Sequence, residues 1–106
     1  MKGERLGEFE EVVLLAAYGL DNEAYGVTIQ QHIETSIGRN TTIGAVYAAL
    51  DRLERKGYLS SRIGGSTNER GGRRKRFFAL TRSGVDALEA MRADREHMWS
   101  LVEDRK

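Results

Sequence analysis

Apolar residues recur with a helical period in three successive segments of this chain, alternate in two short segments, and then recur with a helical period once more. The first three segments are "FEEVVLLAAYGL", "YGVTIQQHIETSIG" and "IGAVYAALDRLERK", and Gly38 and Gly57 end the second and the third. Their apolar faces comprise Phe9, Val12, Val13, Ala16, Ala17, Leu20, Val27, Ile29, Ile33, Ile37, Ile43, Val46, Leu50 and Leu53. This order predicts a mainly α chain with a small β-hairpin, of the α+β class.

Two short strands are predicted from "YLSSRIG" and "RRKRFFALT", and the segment "GSTNERGG" gives the hairpin between them a long tip. Three helices followed by two strands is the order of a winged helix-turn-helix. Its third helix can enter the DNA major groove, and its hairpin, the wing, can reach phosphates or the minor groove. We therefore predict a winged helix-turn-helix DNA-binding domain over residues 1–80 and a C-terminal dimerisation helix over residues 81–106.

The length and composition narrow the class of protein further. A chain of 106 residues has room for one modest core. It contains no cysteine, which excludes a disulfide framework and a thiolate metal site and fits a reducing compartment. No apolar run approaches the roughly 20 residues of a membrane span, and the start "MKGERLGEFEE" is acidic where a signal peptide is basic and then apolar. The expectation is a cytoplasmic protein with no membrane partner.

The formal net charge of +1 conceals an uneven distribution. Residues 1–61 carry six basic and nine acidic side chains, residues 62–82 carry seven and one, and residues 83–106 carry four and six, giving net charges of −3, +6 and −2. A positive field concentrated in the middle block is typical of an element that binds phosphates, although a solvated basic loop has the same composition.

The third helix has a non-core face of small and polar side chains, namely Thr41, Thr42, Gly44, Ala45, Ala48, Ala49 and Arg52. Threonine hydroxyls can bond bases or phosphates, alanine methyls can contact the thymine methyl group, and arginine can bond guanine. Tight helix packing is the alternative role of such a face. Tyr47 can bury its ring or extend its hydroxyl to a phosphate. The predicted DNA contacts on this element are Thr41, Thr42, Ala45, Tyr47, Ala48 and Arg52.

The wing carries a cluster of basic side chains around Gly71 and Gly72, and two glycines let the backbone pass close to a phosphate chain. The predicted DNA contacts of the wing are Arg70, Arg73, Arg74, Lys75 and Arg76. Alternation places Arg74 and Arg76 on the same side as Phe78 and Leu80. Each phosphate neutralised adds roughly 0.9 to the salt slope of binding.

The last helix has one narrow apolar stripe, which predicts a partner helix in a homodimer. The predicted dimerisation residues are Leu88, Met91, Arg95, Met98, Trp99 and Val102, with Arg95 as a polar interruption that fixes register. Packing against the first helix of its own chain is the alternative. Met98 and Trp99 are candidate binding residues for a flat apolar effector, with plain interface packing as the other interpretation.

Nothing in the sequence favours an enzyme. His32 and His97 are 65 positions apart on different predicted helices, and neither lies in a zinc motif or a catalytic triad. The glycine-containing loops lack phosphate-loop spacing. We predict no catalytic residue, no metal and no cofactor.

Four segments together resemble the PadR family of transcriptional regulators over roughly residues 6–90: "LGEFEEVVLLAA", "EAYGVTI", "GAVYAALDRLERKGYLSS" and "GGRRKRFFALTRSG". The resemblance implies a homodimeric winged-helix repressor whose C-terminal helix exchanges contacts with its partner. In the multidrug-sensing branch of the family a tryptophan of that helix helps form the effector site, and Trp99 is similar in placement. Many members carry proline where this chain has Ala48, and a larger C-terminal domain; the short form resembles the compact branch.

These observations predict a homodimeric repressor that binds operator DNA, controls its own and neighbouring genes, and is relieved by a small apolar ligand. The alternative is a winged helix used as a protein-interaction module, with the basic wing docked on an acidic partner and no direct DNA readout.

Overall fold

The computed structural model of the chain describes residues 5–64, 74–103 and 105. Within these residues the predicted order of three helices, a hairpin and a last helix is confirmed. The elements are α1 (Glu8–Leu20), a short 3-10 helix (Asp21–Glu23), α2 (Gly26–Ile37), α3 (Ile43–Arg55), β1 (Leu59–Gly64), β2 (Lys75–Leu80) and α4 (Arg82–Glu103). The predicted α+β class and the winged helix-turn-helix architecture both hold.

The helix ends follow the local chemistry of the sequence. Thr42 caps α3, since its hydroxyl oxygen accepts a hydrogen bond from the Ala45 N–H at 3.0 Å. Gly38 ends α2 in the left-handed region with φ of 66°, where a side chain would be strained. The α2–α3 turn is therefore short and fixed, which sets the direction in which α3 leaves α2.

The core lies between α1, α2, α3 and the sheet. Its largest fully buried side chains are Val13, Leu14, Ile29, Val46, Leu50 and Leu53. Val27, Ile37 and Ile43, which the helical period assigns to apolar faces, are exposed instead. Val27 and Ile37 lie in the first and last turns of α2, and Ile43 begins α3. At these helix ends the apolar side chains have no neighbouring element among the described residues that buries them. Ala49, assigned to the non-core face, is fully buried.

The hairpin is antiparallel, with a register that runs from Leu59 opposite Leu80 to Gly64 opposite Lys75. Phe78 anchors it, because its ring is buried and its N–H donates to the Ala24 carbonyl at 2.9 Å. The guanidinium of Arg76 lies 5.0 Å from the centre of the Phe78 ring, as expected for two residues on one face of a strand.

The first half of α4 closes the core of its own chain. Leu88 is buried and Met91 packs partly buried against the core of its own chain, so their place in a dimer seam stays a prediction. The physical reason for this packing is that α4 starts on the core, where Gly84 approaches the Tyr58 carbonyl, before it extends away. The division of the chain at residue 80 stays a prediction, since α4 shares the core of the preceding elements.

Candidate nucleic-acid interface

The exposed face of α3 is small and polar, as the sequence predicts. Thr42, Ala45, Tyr47 and Ala48 are exposed, together with Gly44, on the side of α3 that points away from the core. The Thr42 oxygen caps the helix as an acceptor, so its hydroxyl hydrogen can still donate to an acceptor outside the chain. These five residues are called the α3 face below.

Thr41 lies elsewhere. Its carbonyl accepts a hydrogen bond from the Gln30 side-chain amide at 2.7 Å, which ties the α2–α3 turn back to α2. Its hydroxyl oxygen is buried and has no hydrogen-bond partner among the described residues. The chain turns at this position before α3 begins, so the Thr41 hydroxyl points inward. We therefore remove Thr41 from the predicted DNA contacts.

Tyr47 lies across the beginning of α2. A methyl group added at Gly26 would come within 2.6 Å of the Tyr47 hydroxyl oxygen, so the glycine provides the space for the ring. The side chain is nevertheless 44% exposed. The Tyr47 ring therefore packs on α2 while part of the side chain stays exposed. A contact between its hydroxyl and a phosphate stays a prediction.

Arg52, whose side chain is 43% exposed, forms an ion pair with the buried carboxylate of Glu10. Its Nε donates to Glu10 at 2.8 Å, and the same carboxylate accepts from the Lys56 ammonium at 2.7 Å and from the Gly7 N–H at 2.8 Å. Burial alone would raise the pKa of Glu10, but these hydrogen bonds together lower it to about 2. The Arg52 guanidinium therefore joins α3 to the start of α1, and its contact with a base stays a prediction.

Of the predicted DNA contacts of the wing, the structure describes Arg74, Lys75 and Arg76, while Arg70 and Arg73 lie outside the described residues. Arg74 is exposed, and the Lys75 ammonium lies 5.1 Å from the centre of the Tyr25 ring. Arg76 is different, because its guanidinium is held by Glu54 and Ser61 of its own chain. Arg76 thus joins the hairpin to α3, and its predicted phosphate contact stays a prediction.

The sequence pattern predicts no role for Arg62, which lies on the face of the hairpin opposite Arg76. Its guanidinium lies 4.7 Å from the centre of the Phe77 ring, the residue directly across the strand pair. Phe77 in turn meets the Tyr25 ring edge-on at 5.4 Å. The signal was the strand register, which places Arg62 and Phe77 opposite each other only once the hairpin is aligned.

The second half of α4 carries an apolar surface that the described residues leave open. Met98, Trp99 and Val102 are 62%, 63% and 47% exposed. Beside them a groove of about 410 Å³ runs between α1 and α4, and its apolar lining includes Leu15 and Tyr18 of α1, two exposed side chains that sequence analysis missed. The helical period of α1 identifies only the residues that face the core, and Leu15 and Tyr18 lie outside that face.

Arg95, predicted as a polar interruption of the apolar seam, is 56% exposed and reaches an acidic side chain of α1. Its guanidinium donates to the Glu11 carboxylate at 2.8 Å, so it pairs α4 with α1 within one chain. This contact agrees with the alternative in which α4 packs on the first helix of its own chain, at least as far as Arg95. The open apolar surface begins one turn later, at Met98.

Two classes of site are missing from the described residues. No three histidine or acidic side chains among residues 5–64, 74–103 and 105 converge on a position that would hold a metal ion. In the same part of the chain, no helix combines the length and the apolar character that crossing a bilayer requires.

Solved structures share this fold. A PadR-like transcription factor from Bacteroides fragilis is 21% identical over 92% of this chain and 89% of that chain, with a TM-score of 0.76. A PadR family transcription regulator from Clostridium difficile R20291 is 20% identical, with coverages of 91% and 96% and a TM-score of 0.73. Bacillus subtilis PadR in complex with operator DNA is 19% identical, with coverages of 78% and 46% and a TM-score of 0.66.

The sequence itself decides the family. No curated protein matches the chain. The family model described as "Transcriptional regulator PadR-like family" matches residues 14–90, a span that includes the α3 face and both strands of the wing. The chain therefore belongs to the PadR-like family of transcriptional regulators.

Proposed function

We propose that the chain is a homodimeric, sequence-specific DNA-binding repressor in which α3 enters the major groove and the wing contacts backbone phosphates. The observation that carries this proposal is the α3 face: small exposed side chains at the start of a helix whose other side is locked into the core. In helix-turn-helix proteins the first residues of the recognition helix contact the base edges. A relative of the same fold has been solved in complex with operator DNA.

The roles of the two elements differ. Thr42 can donate to a base or phosphate, and Ala45 and Ala48 offer methyl groups that fit the thymine methyl. The wing adds positive charge at the exposed Arg74 and the half-buried Lys75, which supplies affinity and position but little choice of sequence. A dimer bound over a promoter covers DNA that polymerase needs, so we propose repression of its own and neighbouring genes. The proposed regulator acts in the cytoplasm and has no enzymatic activity.

The wing is tested by the salt dependence of binding. We expect the double variant Arg74→Ala, Lys75→Ala to bind the DNA upstream of its own gene more weakly, with a salt slope lower by about 1.8, because two phosphate contacts are lost. The measurement is fluorescence anisotropy with labelled duplex at several salt concentrations.

The matched control removes two positive charges from α4 and the chain end, as Arg82→Ala, Arg105→Ala. An equal loss of slope in both double variants would show that net charge matters rather than the wing. No retardation of the upstream DNA by the wild type, alongside a stable complex with an acidic protein, would favour the protein-interaction alternative.

The dimer is proposed from the open apolar surface of Met98, Trp99 and Val102, facing the Leu15 and Tyr18 groove of a second copy. We expect Val102→Asp to shift the protein from dimer to monomer in sedimentation velocity at micromolar concentration, because a charge would be buried in the seam. Ser100→Asp adds the same charge on the opposite side of α4 and should leave the dimer intact. A Val102→Asp variant that sediments as the wild type would remove α4 from the interface.

We propose an effector site at Met98 and Trp99, because both side chains are exposed and line one pocket of about 240 Å³, while Trp99 also borders the α1–α4 groove. A planar apolar compound bound there should quench the fluorescence of Trp99, the one tryptophan of the chain, and lower DNA affinity. Quenching without any change of DNA affinity would count against a regulatory role.

A further inference from the structure

Three side chains from three elements meet between α3 and the hairpin, and are called the Glu54 cluster: Glu54, Ser61 and Arg76. The Ser61 hydroxyl of β1 donates to one carboxylate oxygen of Glu54 at 2.8 Å, and the Arg76 guanidinium of β2 donates to the other. Arg76 Nε closes the ring of contacts on the Ser61 oxygen at 3.2 Å. One carboxylate on α3 therefore holds both strands of the hairpin.

Two further contacts fix the orientation of the guanidinium. Its carbon lies 5.0 Å from the centre of the buried Phe78 ring, and its Nη1 lies 3.6 Å from the carboxylate of Asp51, one turn before Glu54. Phe78 is also the residue directly opposite Ser61 in the strand register. The Glu54 cluster thus lies beside the Ser61–Phe78 pair, from which the two strands continue toward the tip of the wing.

The cluster is too exposed to contribute much to folding. The side chains of Arg76, Asp51 and Glu54 are 43%, 55% and 32% exposed, and exposed ion pairs contribute about 1 kcal/mol or less to stability. The base of the hairpin has its own anchor in the Phe78 N–H bond to Ala24. The contacts of the cluster instead fix the separation and angle between the α3 face and the wing.

We infer that Glu54 is a positioning residue for DNA recognition: it sets the wing at the distance from α3 at which both can contact one duplex. The inference rests on the proposed function. The inference also gives Arg76 a role within the chain, because its guanidinium pairs with Glu54 and lies near Asp51. Sequence choice then depends on Glu54, although its carboxylate contacts no DNA.

The test uses the full chain and two duplexes of equal length, the DNA upstream of its own gene and a scrambled sequence of the same composition. Glu54→Gln should bind the upstream DNA about tenfold more weakly, while its affinity for the scrambled duplex stays level or rises, because Arg76 is released. Its unfolding midpoint should stay within a few degrees of the wild type. Asp86→Asn, which removes the same charge from an exposed α4 ion pair, should change neither affinity.

A double-mutant cycle separates positioning from direct contact. If Glu54 acts through Arg76, the variant Glu54→Gln, Arg76→Gln should lose no more affinity for the upstream DNA than either single variant. In hydroxyl-radical footprints, Glu54→Gln should lose the protection at the flanks given by the wing and keep the protection given by α3. Two results would indicate that Arg76 contacts a phosphate and would overturn the inference. One is a loss of affinity in the double variant equal to the sum of the two single losses. The other is a salt slope lower by about 0.9 in Arg76→Gln.

The proposed function and the inference fail in different ways. A wild type that binds the two duplexes equally overturns the proposed function and the inference with it. A wild type that prefers the upstream DNA, with the same preference in Glu54→Gln, overturns the inference alone.

Discussion

Gly84→Ala will lower the free energy of unfolding by about 3 kcal/mol. A Cβ at this position would lie far inside van der Waals contact of the Tyr58 carbonyl oxygen and 3.1 Å from its carbon. Both obstacles are backbone atoms, so α4 must move away from the β1 side of the core. That movement stretches the Thr81 N–H bond to the same carbonyl, now 3.1 Å, and uncovers Leu88.

The measurement is a thermal melt at fixed protein concentration, in which we expect the midpoint to fall by roughly 10–20 °C. Gly44→Ala is the matched control, because an added Cβ at Gly44 meets nothing within 4 Å and alanine favours the helix. Its melting point should stay level or rise. Equal melting points for both variants would show that α4 can shift without loss.

Glu10→Gln will cost about 3 kcal/mol of stability at pH 7, because it removes the charge that holds Arg52 and Lys56 at the meeting of α1 and α3. The pKa of Glu10 is lowered to about 2 in the folded chain, from an ordinary value of 4.5. The folded state therefore binds its proton more weakly than the unfolded state does. The stabilisation is complete above pH 4.5 and is lost as the pH falls toward 2.

Urea unfolding of the wild type and of Glu10→Gln at pH 7, 4 and 2.5 checks this. The difference in free energy should shrink over that range, since protonated Glu10 and Gln are alike in charge. Glu8→Gln is the control: Glu8 pairs with Arg39 at the surface, and this hydrogen bond lowers the pKa of the exposed carboxyl. The control should unfold close to the wild type at each pH. If the difference in the free energy of unfolding between wild type and Glu10→Gln were the same at all three pH values, the charge of Glu10 would not be the source of the stabilisation.

The helices and strands were predictable because each is encoded locally. The helical period, the threonine cap and the two terminating glycines all lie within a few residues of the elements they define. The α3 face followed from the same period, and Thr42, Ala45 and Ala48 are exposed as expected. Errors in the apolar faces fell at helix ends, as with Ile37, where the period continues but the neighbouring element does not.

The roles of the arginines were not predictable from local pattern. Arg52 meets a carboxylate 42 positions earlier, Arg76 meets one 22 positions earlier, and Arg95 meets one 84 positions earlier. Composition counts all three as positive charge available to a partner, whereas each is paired within the chain. Only the tertiary fold brings each arginine to its acid, so a count of basic residues overstates the charge offered to DNA.

The contact between Gly84 and Tyr58 also makes α4 a lever. From Gly84 to Trp99 the helix extends about 22 Å, and beyond Arg95 its apolar side chains are exposed within the described part of the chain. A tilt of about 5° at Gly84 therefore moves Trp99 by about 2 Å. In two copies related by a two-fold axis, the two tryptophans would move about 4 Å relative to each other. One base-pair step is about 3.4 Å, so in the proposed dimer the packing of one glycine determines which spacing of half-sites the two α3 helices can span.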